Sequence, residues 1–153
     1  MYAVIRVRGN INVRPGIKDT LKMLRLNRVN HCVLLDENPN YEGMIRKVKD
    51  YIAWGRIDLE ALELLLKERG KIEGGDRLSD EYVKENTDYK DVKSLASALY
   101  NGEIGIKDVP KLKVIFRLHP PRKGHKGIKK TFSEGGILGC HGEDINSLLY
   151  KMR

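Results

Sequence analysis

Between His119 and Gly136 the chain reads HPPRKGHKGIKKTFSEGG, and five cations fall there before the first acid at Glu134: Arg122, Lys123, Lys126, Lys129 and Lys130. Lysine and arginine at this density neutralise phosphates and release their condensed counterions, which favours nucleic acid without choosing a sequence. Gly124 and Gly127 let the backbone approach a phosphate closely. Two prolines stiffen the entry, and the segment has too few apolar residues for a core, so the arm is expected to be poorly ordered in the free protein. A solvated charged loop is the bland alternative. The residues before it favour the binding reading. In Lys111 to His119, Leu112, Val114, Phe116 and Leu118 alternate with Lys113 and Arg117, so a strand with one packed face leads into the arm and sets two more cations beside it.

Other chemistries fit less well. Gly124-His125-Lys126-Gly127 matches GxxG, the backbone clamp of KH domains, but that clamp joins two helices and this one follows a strand and a Pro-Pro pair. His31-Cys32 and Cys140-His141 are a nominal zinc set, yet His31 and Cys32, adjacent on a strand, point to opposite faces, Cys140 sits in a Gly-rich turn, and neither pair has chelating spacing. No metal site is expected. His119, His125 and His141 could serve as acid or base, but no nucleophile motif or phosphate-binding loop accompanies them, so no catalytic residue is assigned. Glu134-Gly135-Gly136 and Gly139 could cradle a phosphate, although such glycines more often simply let the chain reverse. Trp54 could stack on a base, and burial between helix and sheet suits it equally.

Charge is unevenly spread. Lys plus Arg number 29 against 21 acids in 153 residues, a net charge of +8. Met1 to Ile57 carries 11 basic and 5 acidic residues, Asp58 to Asp108 carries 8 and 13, and Val109 to Arg153 carries 10 and 3. Two basic ends flanking an acidic middle suit a molecule with one anion-facing side and one solvent-facing side. Two cysteines without a CxxC pair, no apolar leader and no apolar run of transmembrane length point to a cytoplasmic protein with reduced thiols.

The elements that must position these groups follow from periodicity. Ala3, Ile5 and Val7 alternate with Tyr2, Val4, Arg6 and Arg8, a half-buried strand whose other face ends in two cations. After Arg14-Pro15-Gly16, Ile17, Leu21 and Leu24 recur at helical spacing beside a basic stripe of Lys18, Lys22 and Arg25. His31 to Leu35 suits a central strand, Met44 to Ile52 carries a second amphipathic helix, and Ala53 to Ile57 a third strand. Residues 1–57 are thus expected to be a two-layer β-α-β-α-β unit, with a 58–153 extension. In that extension Asp58 caps a helix to Arg69, Ser79 opens another, and Val92 to Tyr100 is a third. This acidic 58–108 region is expected to be peripheral. The 109–153 part holds the basic strand, the arm and a closing helix over Glu143 to Met152.

These residues carry a family resemblance. Thr20-Leu21, Leu24, Leu26, Arg28, His31 and Val33, followed by Met44-Ile45, Val48 and Tyr51-Ile52, are similar to the signature of the large-subunit ribosomal protein L thirty family. Tyr51 to Gly55, Val114 to Leu118, Pro121-Arg122, Lys129 to Phe132 with Gly135-Gly136, and Asp144-Ile145-Asn146 with Met152 resemble its long archaeal form, related to eukaryotic L seven. The resemblance implies an α+β, ferredoxin-like core. It also implies a non-catalytic, cofactor-free constituent of the large (50S) subunit that binds large-subunit ribosomal RNA. The 5S ribosomal RNA and neighbouring ribosomal proteins are further candidate partners; no membrane and no small-molecule substrate are expected. It places RNA contacts at Arg6, Arg8, Arg14, Arg25 and Arg28 and along the Arg122 to Lys130 arm. A free RNA chaperone or regulator built on the same basic surfaces is the alternative, and a small RNA-processing enzyme a more distant one.

Overall fold

In the computed structural model, which describes residues 1–153, the chain runs β1 (Tyr2–Arg6), α1 (Pro15–Met23), β2 (His31–Leu35), α2 (Pro39–Val48), β3 (Ile52–Arg56) and α3 (Leu59–Arg69). It continues with α4 (Asp80–Asn86), α5 (Val92–Asn101), β4 (Ile115–Arg117), a 3-10 turn at Phe132–Glu134, β5 (Gly139–Gly142) and α6 (Ile145–Met152). This is an α+β fold around one five-stranded sheet of order β4-β2-β1-β3-β5. β1 is antiparallel to both β2 and β3, so β2 and β3 run the same way and α2 crosses between them. The extension then adds β4, antiparallel, to β2 and β5, parallel, to β3. β5 is a correction: its Gly-Cys-His-Gly sequence reads as a turn, and only the approach of β3 makes it an edge strand.

Local signals set the helix ends. The Asp58 carboxylate accepts from the Ala61 amide at 2.6 Å, and the Ser79 hydroxyl from the Tyr82 amide at 3.2 Å, satisfying donors that a first helical turn leaves open. α5 stops at Gly102, whose φ of 77° few other residues adopt cheaply.

The sheet is covered on both faces. Tyr2, Val4, Val33 and Ile52 pack under α1 and α2 against Leu21, Leu24, Ile45 and Val48. Ala3, Ile5, Cys32, Ala53 and Phe116 point the other way, into a 27-residue cluster shared with α3, α5 and α6. Two expectations change. β1 is buried along its whole length instead of half-buried. The 58–108 region is not peripheral either: Ala61, Leu62, Leu65, Leu66, Leu78, Val83, Val92, Leu95, Ala96 and Leu99 all belong to the larger core. The acids lie partly on α3 and α4 and partly in the caps and loops between helices, so a charge count hides the inner apolar residues.

β3, β5 and α6 meet at Gly55, where the sheet register shifts. A Cβ there would collide with the Gly142 carbonyl and lie 3.0 Å from the Ile145 side chain. Gly55→Ala should therefore lower stability to urea by about 1–3 kcal/mol, the cost of overpacking against an unyielding backbone. Gly43, inside α2, has nothing within 4 Å of its virtual Cβ. Gly43→Ala should raise stability by somewhat under ~1 kcal/mol, the helix-propensity difference. Equal midpoints for the two variants would contradict this packing.

Candidate nucleic-acid interface

With both faces covered, the sheet meets solvent at its strand ends, and topology gives one end most of the basic loops. Ile5 is paired with Cys32 and His31 with Arg117, so β1 finishes where β2 begins and β4 finishes. The Asn30 amide donates to the Arg6 carbonyl at 2.8 Å, and the Leu118 amide to the Asn30 carbonyl at 3.0 Å, locking the three strand ends together. From here leave the loop with Arg8 and Arg14, the loop with Arg25 and Arg28, and the arm that follows Arg117.

Arg6 holds two of these loops together. Only 2% exposed, its guanidinium donates to the carbonyls of Arg8 (2.9 Å), Gly9 (3.2 Å) and Leu26 (2.6 Å) and to the Asn10 side-chain oxygen (2.5 Å). The sequence pattern puts Arg6 on an open basic face beside Arg8. The structure removes it from that face, because α1 and the loop after it cover that side of β1. Burial lowers its pKa, but a guanidinium in a protein keeps its proton, so the site is a positive charge caged by oxygens.

Around this caged charge stand the exposed cations. Arg8 is partly exposed; its Cζ lies 5.1 Å over the Tyr51 ring and its Nη1 donates to the Asp50 carbonyl at 3.3 Å. Arg14 precedes α1, which opens with no acid and no side-chain cap, so the positive end of that helix dipole is unneutralised. Arg25 follows α1 with φ 61°, and Arg25, Arg28 and Arg117 are exposed. Lys113 is exposed but stands apart: it lies before the start of β4, its amide tied to the Lys71 carbonyl, whereas Arg117 sits at the strand's other end. The ion pairs of the molecule join Glu37 to the N-terminus and to Arg56, and Glu42 to Arg46. No candidate cation is neutralised by an acid.

Both ends of the arm are tied to the rest of the fold. The His119 and Arg122 amides donate to the Met152 and Lys151 carbonyls at 3.0 and 3.1 Å, satisfying the C-terminal end of α6. Farther on, the Lys130 carbonyl accepts from the Ile137 and Leu138 amides, both at 3.1 Å. Gly136 is packed onto that carbonyl so closely that a Cβ would clash with it. All five arm cations are nevertheless exposed. The arm folds back along α6, with its charges outward.

The other candidate groups have structural positions. β2 and β5 are separated by two strands, so His31-Cys32 and Cys140-His141 lie on the order of 14 Å apart at ordinary strand spacing and form no zinc set. No group of three or more His, Cys, Asp or Glu side chains converges anywhere. Trp54 meets Tyr2 edge-on at 5.3 Å and belongs to the packing under α2. Burial first, then the charges of Arg117, Arg28 and Arg6, push the His31 pKa down. The buried thiol of Cys32 is pushed up to about 12 and is inert at neutral pH. Sequence reasoning assigned no role to Phe132, within the arm's own run, and missed Lys151, which the fold brings to the arm. A lone aromatic within a lysine run was the available signal.

A family model described as "Ribosomal protein L30p/L7e" matches residues 2–52, the span of β1 to the start of β3. Over the full length of both chains, the sequence is 55% identical to a protein of Methanocella arvoryzae and 53% to one of Archaeoglobus fulgidus. A protein of Methanoregula boonei is 56% identical over 154 aligned positions. Each is named "Large ribosomal subunit protein uL30". The chain belongs to the L30p/L7e family of ribosomal proteins.

The full-length match means that in these L30p/L7e relatives, too, the chain continues past the region the family model covers. It is the continuation that supplies β4, the arm, β5 and α6 here. No helix is long and apolar enough to cross a membrane.

Two outcomes test this site's construction. Arg6→Lys keeps the charge but cannot reach all four oxygens, and should cost about 1–3 kcal/mol in urea unfolding through unpaired buried carbonyls. Wild-type stability would show that the cage is incidental. Separately, His31, His125 and His141 all have pKa values lowered by burial from the ordinary 6.5. The unfolded chain then holds more protons than the folded one below that value, so stability should fall as pH drops through about 6.5 and stay level above it. Urea midpoints that do not change between neutral and mildly acidic buffer would contradict the burial of these imidazoles.

Proposed function

We propose that this protein is a structural constituent of the large ribosomal subunit. It grips large-subunit ribosomal RNA with the basic end of its sheet and with the arm lying along α6. The observation that carries the reading is the convergence of Arg8, Arg14, Arg28, Arg117 and the arm's base at one end of a sheet covered on both faces, with no acid paired to any of them. The printed names of the full-length relatives agree with it. Its role is architectural and non-catalytic, in the cytoplasm, without cofactor. Charge on flexible side chains around a fixed backbone suits phosphates and the shape of folded RNA better than base sequence. Residues 1–57 would form the RNA-binding core and 109–153 a second grip. 5S ribosomal RNA and neighbouring ribosomal proteins are the further partners that residence in the subunit would bring.

Replacing Arg122, Lys123, Lys126, Lys129 and Lys130 together by Ala should weaken binding to large-subunit RNA. It should also lower the slope of log affinity against log salt by about 4.5 if each cation meets a duplex phosphate. An unchanged slope would remove the arm from the interface. In lysate gradients the wild-type protein should sediment with the large subunit at high salt. A position at the top of the gradient would favour the free RNA-binding factor.

A further inference from the structure

Where the arm folds back along α6 it encloses an open groove of about 670 Å³. Its chemistry differs from that of the rest of the basic surface. Arg122, Lys123 and Lys126 of the arm and Lys151 of α6 border it, and Phe132 and the buried His141 also line it. Phe132 is 37% exposed, high for so large an apolar ring, and three features hold it there. It is the first residue of the 3-10 turn. That turn is fastened by the Thr131 hydroxyl and amide donating to the Glu134 carboxylate at 2.8 and 3.1 Å. The ring is also backed by His141, stacked at 4.1 Å with 30° between the planes. His141 is fixed in turn: only its Nε2–H can donate to the Ile137 carbonyl at 2.7 Å. An aromatic ring braced by a buried imidazole and still 37% exposed toward a groove is a preformed stacking platform.

The phosphate-gripping role proposed above does not require such a platform, since phosphates need cations and not an aromatic floor. We propose that this groove receives one unpaired nucleotide of the bound RNA, with its base on Phe132 and its phosphate among Arg122, Lys126 and Lys151. This rests on the RNA-binding reading and adds a single-stranded contact to it. The volume lies within the range of sites that enclose small ligands. Aromatic rings stack on any base, whereas a base paired inside a duplex has no free face to offer. Asp144 and Ser147 also line the groove, and both residue types can hydrogen-bond a base edge.

The test uses the full-length chain and two probes: a short single-stranded RNA with a central 2-aminopurine, and the blunt duplex of the same sequence. Wild-type protein should quench the 2-aminopurine of the single strand as it stacks. Phe132→Leu should bind that strand about tenfold more weakly, with the quench lost and duplex affinity unchanged. Lys151→Gln, an exposed position that carries no fold risk, should weaken the single strand several-fold and leave the duplex alone. Variants that bind both probes like wild type, or that weaken both equally, would overturn the nucleotide groove. Wild-type protein that binds the duplex but never quenches the single strand would overturn it too, with the phosphate-gripping role intact. Failure to bind either probe would bring down the RNA-binding reading itself.

Discussion

The central strand β1 is paired along its length to β2 on one side and β3 on the other, and helices cover both faces of the sheet. What remains for a partner is the ends of the strands and the loops that leave them. That constraint ties the molecule's charge to its topology, because a cation on a sheet face would have to be buried. Arg6 is the one that was, and it survives only because four oxygens surround it. A buried guanidinium without a carboxylate partner would be costly if those oxygens were missing. Here the carbonyls of two loops supply the compensation, and the loops are positioned by supplying it.

The exposed cations accumulate an opposite kind of cost. Arg28 and Arg117 press on His31 from neighbouring elements, and α1 adds the positive end of its dipole beside Arg14. Acids could have relieved this repulsion, and the chain has 21 of them. They are used elsewhere: Glu37 and Glu42 pair with the N-terminus, Arg56 and Arg46. A surface that keeps like charges together and unpaired is less favourable for the isolated protein than a mixed one. A polyanion that supplies the missing counter-charge gains that difference on binding.

Much of this could be read from residues near one another in sequence. Helical spacing and the Asp58 and Ser79 caps placed α3 and α4, and alternation placed β1 and the packed face before the arm. The density of lysine in the arm pointed to phosphate. What could not be read was set by distant partners. Arg6 and Arg8 look alike in a period of two until α1 and its following loop cover one of them. The 58–108 region looks peripheral because its 13 acids, many of them in caps and loops, dominate a charge count, while the apolar residues that fill the larger core are spread over three helices. Gly139–Gly142 becomes a strand only against β3, and Phe132 acquires its backing only when His141 arrives from that strand.

The acidic middle segment takes on meaning from the same geometry. Its helices α3 and α5 pack on the sheet face away from α1 and α2, and Asp76, Glu81, Glu85, Asp88 and Asp91 are exposed around α4 and the start of α5. Charge of that sign repels phosphate. A uniformly basic molecule of this size would adhere to RNA in many orientations, most of them unproductive. Placing negative charge over the layer that forms the core, and positive charge at the strand ends and along α6, makes the wrong approaches unfavourable without adding a contact to the right one. The apolar residues of α3 and α5 thus stabilise the fold, while the acids of α4 and the loops around it restrict how the fold can meet its partner.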